Sequence, residues 1–239
     1  MDINEIKDKK SGTKKTYEYV FEYFSEQIIS GKLKINDKIP TEREIAEQLG
    51  CSRNSIREVM HLLEINGLID CVQGSGNYVR CDPQDYMLKS VNMVMALMDI
   101  QYTEVFHIRT GYEMVALRLA MENATEEEIA SIHEALISME EADNPEESAS
   151  WDNEFHRRLI HASHNRLLIL YCSMISEFMK RFISVYHERI SHDEQHAAAL
   201  RRSHWNIYDS LVNKDYPSGA LAMNKHFDIV EEQLDLSEK

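Results

Sequence analysis

Lys38-Ile-Pro-Thr-Glu-Arg-Glu-Ile-Ala-Glu-Gln-Leu-Gly50, then Cys51-Ser-Arg-Asn-Ser-Ile-Arg-Glu-Val-Met60, and, after seven residues, Leu68-Ile-Asp-Cys-Val-Gln-Gly-Ser-Gly-Asn-Tyr-Val79 carry ordered signals for short elements. Thr41 followed by Glu44 has the spacing of a capping box, in which each residue satisfies an orphan amide of the other at a helix start. Gly50 closes that short helix, because glycine tolerates the left-handed backbone of a C-terminal cap. Ser52 opens a second helix in which Ile56, Val59, Met60 and Leu63 recur at the interval that buries one face. Arg53 and Arg57, four apart, then share another, exposed face near its N-terminus. A second helix presenting arginines in this way is what reading a major groove requires.

Leu68–Val72 and Asn77–Arg80 are short β-prone runs joined by Gly74-Ser75-Gly76, which suits a tight hairpin. Two arginines on one face are ordinarily only a solvated surface. The whole ordered set implies a winged helix-turn-helix that binds DNA. Upstream, Tyr17–Ser30 is expected to be a helix burying Val20, Phe21, Phe24 and Ile28. Residues 1–15, with Lys7, Lys9, Lys10, Lys14 and Lys15, read as a flexible polar arm.

The chain has 239 residues and a formal net charge of −15, enough length for two cores. Residues 1–80 hold 12 Lys or Arg against 13 Asp or Glu, leaving 14 against 28 for the rest. The acidity therefore belongs to the second part, which is unsuited to clamping DNA nonspecifically and leaves specificity to local contacts. No apolar run is long enough for a membrane span and no signal peptide is visible, so a cytoplasmic protein without a membrane partner is expected. Cys51, Cys71, Cys81 and Cys172 lack metal spacing and are expected to be reduced.

Pro83 marks the boundary, giving a DNA-binding domain over 1–80, a linker over 81–86 and a second domain over 87–239. There helices are expected near 86–99, 103–122, 125–141, 150–163, 166–189, 196–213 and 217–235, with a second capping box at Thr125 and Glu128 and a loop at Asp143-Asn144-Pro145. The expected fold class is mainly α: a small α+β winged helix followed by an all-α bundle of six to seven helices.

In Trp151-Asp-Asn-Glu-Phe-His156, Asp152 and His156 lie four apart on a stripe shared with Leu159 and Ile160. His204 shares its face with Ile207 and Leu211, and His226 with Met223 and Val230. One inward histidine is usually a hydrogen-bonded core residue. Three, with an aspartate, need partners that a divalent cation would supply together. An N₃O set accepts Zn²⁺, Ni²⁺, Mn²⁺ or Fe²⁺, and at this point a metal and a hydrogen-bonded core both stand. Arg109 lies on an apolar face with Val105, Tyr112 and Ala116, either ion-paired to Glu113 or another carboxylate, or anchoring an anionic ligand. His192-Asp-Glu-Gln-His196 has the spacing of a zinc-protease helix but places Asp193 where the catalytic Glu belongs, and reads as solvated.

The run Ile39-Pro-Thr-Glu-Arg-Glu-Ile-Ala with Ser52-Arg-Asn-Ser-Ile-Arg-Glu-Val resembles the N-terminal signature of GntR-family bacterial transcription regulators. Arg109 with Glu113, Asp152-x-x-Phe-His156, Ala162-Ser-His-Asn165 and the pair His204 and His226 resemble the FCD ligand domain of the FadR subfamily. The resemblance implies that Asp152, His156, His204 and His226 hold a divalent metal, with Zn²⁺ the first choice. It implies a small organic acid effector beside that metal, paired with Arg109: a hydroxy acid, sugar acid or dicarboxylate. It also implies a homodimer that represses from operator DNA, contacted by Arg43, Arg53, Arg57 and the wing at Gly76. Asn54 and Ser55, also on the groove-reading helix, depart from the family pattern and count among the DNA-facing residues. A metal-sensing repressor, an activator and a metal-dependent hydrolase are the rival readings.

Overall fold

The structure is a computed structural model that describes residues 16–82, 85–191 and 193–235. The arm at 1–15, two linker residues (83 and 84) and His192 thus lie outside the described residues. The chain divides into two compact units, with the division between Ser90 and Val91, each with its own core.

The N-terminal unit runs α1 (Thr16–Ile29), β1 (Lys38–Ile39), α2 (Glu42–Leu49), α3 (Arg53–Ile65), β2 (Ile69–Val72) and β3 (Gly76–Val79). Val20 and Phe24 are buried as expected, but Phe21 is 41% exposed. Four residues separate Val20 from Phe24, so Phe21 is turned about 100° away from their stripe. The capping box at α2 is complete: Thr41 Oγ1 accepts from the Glu44 N–H at 3.3 Å, and Glu44 Oε2 accepts from the Thr41 N–H at 2.7 Å. Gly50 follows at φ 61°, and Ser52 caps α3, whose Ile56, Val59, Met60 and Leu63 are all buried. The hairpin expected after it forms, with Val79 opposite Ile69 and Gly76 opposite Val72. A third strand was not foreseen: β1 pairs antiparallel with β3, giving the order β1-β3-β2. Two residues carry no alternation from which a strand could be read.

The second unit is helical: the last turns of α4 (Asp85–Leu97), then α5 (Tyr102–Asn123), α6 (Glu126–Glu141), α7 (Pro145–Ala162), α8 (Arg166–Ser191), α9 (Glu194–Asn213) and α10 (Tyr216–Asp235). α7 packs on α5, α6 and α8, while α10 packs on α9 and α5. Its start differs from the expected 150. Asn144 caps the helix through the Glu147 N–H at 2.9 Å, and Pro145 is the first helical residue. Proline there loses no hydrogen bond and has its φ already set, so it starts the helix instead of breaking it. Pro217 likewise sits within the first turn of α10. The described residues contain no helix long and apolar enough to cross a membrane.

Candidate functional site

In α7, Asp152 and His156 fall one turn apart on the face that also buries Phe155 and Leu159. α9 brings His204 and α10 brings His226 to the same place, and all four residues are at most 2% exposed. Asp152 Oδ1 lies 2.9 Å from His204 Nε2 and 4.0 Å from His156 Nε2. One nitrogen from each of the three imidazoles lies within 4.8 Å of the others. The His204 and His226 rings are 4.5 Å apart between centroids, and His156 and His226 4.9 Å.

The outer nitrogens of two rings are tied down. His156 Nδ1 donates to Glu113 Oε2, and Glu113 Oε1 accepts from Arg109 Nε at 2.5 Å. Ser203 Oγ donates to the Leu200 carbonyl at 2.6 Å, so it accepts from His226 Nδ1 at 3.2 Å. Both rings therefore turn a bare Nε2 lone pair inward, and neither His156 Nε2 nor His226 Nε2 has a hydrogen-bond partner among the described residues. Orphaned acceptors in a buried place are costly, whereas a cation uses lone pairs of this kind. Burial, then His204 and His156, hold His226 well below its ordinary pKa and so neutral, the state a metal ligand needs. Burial alone would raise Glu113, but Arg109 and His156 outweigh it and leave it ionised. The donor set fits a divalent metal.

Arg109 is 3% exposed and stacks over Phe227 at 5.6 Å, with Glu113 as its counter-ion. It also lines a cavity of about 130 Å³ with Glu113, His156, Asn153, Arg157 and His161. The expected ion pair of Arg109 with Glu113 is therefore present, and the residue also borders open space. A larger depression of about 670 Å³ reaches His204, but Glu140, Asp143 and Glu194 against Arg201 line it. That balance suits an anion poorly, so the smaller cavity is the better acid site. His107 is exposed and lies 3.4 Å from Glu231, outside this group. Sequence reasoning missed Ser203, since only the convergence of α9 and α10 brings it to His226. His196 belongs to an exposed cap, 2.7 Å from Asp193.

In the N-terminal unit Arg43, Arg53 and Asn54 are exposed. Arg57 is exposed but engaged, with its Nη2 3.1 Å and Nε 3.4 Å from the Glu42 carboxylate. Ser55 is half-buried, its hydroxyl 2.9 Å from that of the cap residue Ser52. Gly76 has φ 121°, a backbone conformation that favours glycine, whereas the nearest atom a Cβ would meet is the movable end of the Lys38 side chain.

Residues 16–79 match the family described as "Bacterial regulatory proteins, gntR family", and residues 104–229 match the FCD domain. The "Uxu operon regulator" of Haemophilus influenzae is 28% identical over 225 residues, covering 92% of this chain and 82% of the relative. The "Glc operon transcriptional activator" of Escherichia coli is 25% identical, covering 82% and 80%. LutR of Bacillus subtilis, an "HTH-type transcriptional regulator", is 26% identical, covering 87% and 95%. The solved structure "Streptococcus agalactiae GntR" shares the fold with a TM-score of 0.63 at 20% identity, covering 90% of this chain and 99% of that one. The chain belongs to the GntR family of bacterial transcription regulators, in its FadR-like branch, with an FCD domain behind the winged helix-turn-helix.

Proposed function

We propose that this regulator is a repressor whose operator affinity is set by a small carboxylate bound beside a divalent metal. The observation that carries this is the pair of buried, unpartnered imidazole nitrogens, His156 Nε2 and His226 Nε2, next to Asp152 and a cavity lined by Arg109. Asp152, His156, His204 and His226 would hold the metal, with Zn²⁺ first and Ni²⁺, Mn²⁺ or Fe²⁺ as alternatives. When bound, the metal supplies a Lewis-acid position for a carboxylate oxygen. One Asp charge against a divalent cation leaves a net positive charge, which complements an acid. Arg109 orients that acid and Glu113 keeps the guanidinium in place.

Arg53 and Asn54 face the base edges, with Arg57 on the same helix and Arg43 and Gly76 against the backbone. Ser55 sets the start of that helix through its cap contact. A homodimer would place two such helices about one DNA turn, ~34 Å, apart on a near-palindromic site. The acid favours one arrangement of the bundle, and a coupling of about 1–3 kcal/mol changes operator affinity about five- to 150-fold.

The closed Arg109–Glu113 pair also supports a second reading, in which the metal alone is the signal. An activator role is compatible with the same geometry, and one relative bears that word in its name. The family assignment removes the hydrolase reading. Melting of metal-quantified protein across a panel of small carboxylates separates the first two. A stabilising acid whose effect is lost in Arg109→Ala and after chelation supports effector control. Operator affinity that follows metal with no acid present supports metal sensing instead.

A further inference from the structure

Asp152, His156, His204 and His226 are each at most 2% exposed, so a cation bound among them needs a way in. Two cavities touch these residues. The smaller, of about 130 Å³, reaches His156 and is bordered by Arg109 and Arg157 against Glu113. Walls of net positive charge repel a hydrated cation. The larger, of about 670 Å³, lies between the end of α6, the start of α7 and the start of α9, and His204 forms part of its lining. Ser148 and Leu200 line it as well, each one helical turn, about 5.4 Å, before Asp152 and His204. Residues four apart share a helix face, so its inner walls continue into the faces that carry two of the ligands.

Its charge is the opposite of the smaller cavity's. Glu140, Asp143 and Glu194 against Arg201 border it, and residues 140–147 hold five acids and no Lys or Arg. A cleft lined by one sign of charge focuses the field, and raises the local concentration and on-rate of the opposite charge by about 10- to 10³-fold.

We propose that the divalent cation enters the bundle through this acidic depression, drawn by Glu140, Asp143 and Glu194 toward His204, the first ligand it meets. This rests on the metal reading of the four buried residues and adds a route to it. The route is separate from the Arg109 cavity, so a cation and an anion use openings of opposite charge.

The test is stopped-flow loading of the metal-free full chain with Ni²⁺, read by the fluorescence of Trp151 and Trp205, the chain neighbours of Asp152 and His204. In the double variant Asp143→Asn, Glu194→Gln, association is expected to slow about three-fold or more at low salt, and release to a chelator to slow with it. Kd and final metal content change less than either rate, because the charges act on the path more than on the site. Salt of about 1 M, where the screening length is about 3 Å, should erase the difference. Glu140 is spared because it accepts from Trp205 Nε1 at 2.7 Å. Ala197→Phe, which fills the depression from α9, is expected to slow loading further at unchanged final content. The control pair Glu126→Gln, Glu127→Gln removes the same charge at the far end of α6, about 20 Å from Glu140, and should leave the rates alone. Equal slowing by both pairs would reduce the effect to net charge and overturn the route. An unchanged rate in the acid pair or in Ala197→Phe overturns it too, and leaves the metal reading standing. A wild-type chain that takes up neither Ni²⁺ nor Zn²⁺ at equilibrium removes the metal reading itself, and the route with it.

Discussion

Glu113 is buried within α5 and accepts from both Arg109 and His156, so one carboxylate balances a guanidinium and fixes an imidazole tautomer. Glu113→Gln keeps the shape and removes the charge. Breaking a buried pair by neutralising one partner costs about 3–5 kcal/mol, because the other charge is left uncompensated. Metal affinity should fall about 10- to 100-fold as well, since His156 loses the partner that orients it. Denaturant unfolding and a metal titration measure the two effects separately, and unchanged metal affinity would mean that Glu113 serves the ion pair alone. Glu154 behaves differently because it is near the surface. Hydrogen bonds from Arg157, with Arg158 adding, bring its pKa down from 4.5 to about 2. A carboxylate depressed on folding contributes stability above its unfolded value and loses it as pH falls through the folded one. The gap between wild type and Glu154→Gln should be of order 1 kcal/mol at neutral pH after solvent screening, and should close between pH 4.5 and about 2. A gap that persists at pH 2 would mean that packing, not charge, holds that corner of α7.

At the scale of elements, contacts between helices show what the sequence could not. A Cβ on Gly219 of α10 would overlap Ser210 Oγ of α9 and approach Leu117 Cδ2 of α5 to 3.0 Å. Gly219→Ala should therefore destabilise by about 1–3 kcal/mol through overpacking, although alanine is the better helix former. A lowered urea midpoint at unchanged slope checks it, and a raised midpoint would show that α10 can shift away from α9. Gly219 looks in sequence like an ordinary weak point near a helix start, because the close approach depends on three helices at once. The same distinction separates the legible from the illegible elsewhere. α2 and α3 were readable because caps and stripe are local, set by Thr41, Glu44, Gly50 and Ser52. The inward phase of Asp152, His156, His204 and His226 was readable for the same reason, since each lies within an apolar repeat on its own helix. Their convergence, the Ser203 bond to His226 and the cavity walls at Asn153 and His161 come from packing. The start of α7 lies before the expected 150 because Asp143-Asn144-Pro145 has the composition of a loop, while proline disrupts a helix only in its interior and not at its first residue.

For the whole molecule, two separate cores make a prediction that no single residue does. The N-terminal core is built on Phe24, Ile45, Ile56 and Leu63, the second on Phe155, Ile132, Leu136 and Ile183. The metal ligands proposed here all belong to the second unit, spread over α7, α9 and α10. A cation bound there ties together helices that are distant in sequence and binds only the folded bundle. By mass action it stabilises that unit by about 4 kcal/mol when present at about 1,000 times its Kd. For a domain of about 150 residues each kcal/mol is worth about 2–4 °C, so chelation should lower the second unit's melting temperature by roughly 8–16 °C. The winged-helix unit offers no comparable cluster among its described residues, so its transition should stay in place. Scanning calorimetry with and without chelator resolves the two cases. Movement of the helical transition alone supports a metal that staples the bundle. Equal movement of both would mean that the units unfold as one, and no movement would mean that the three imidazoles are packed in the core without a metal.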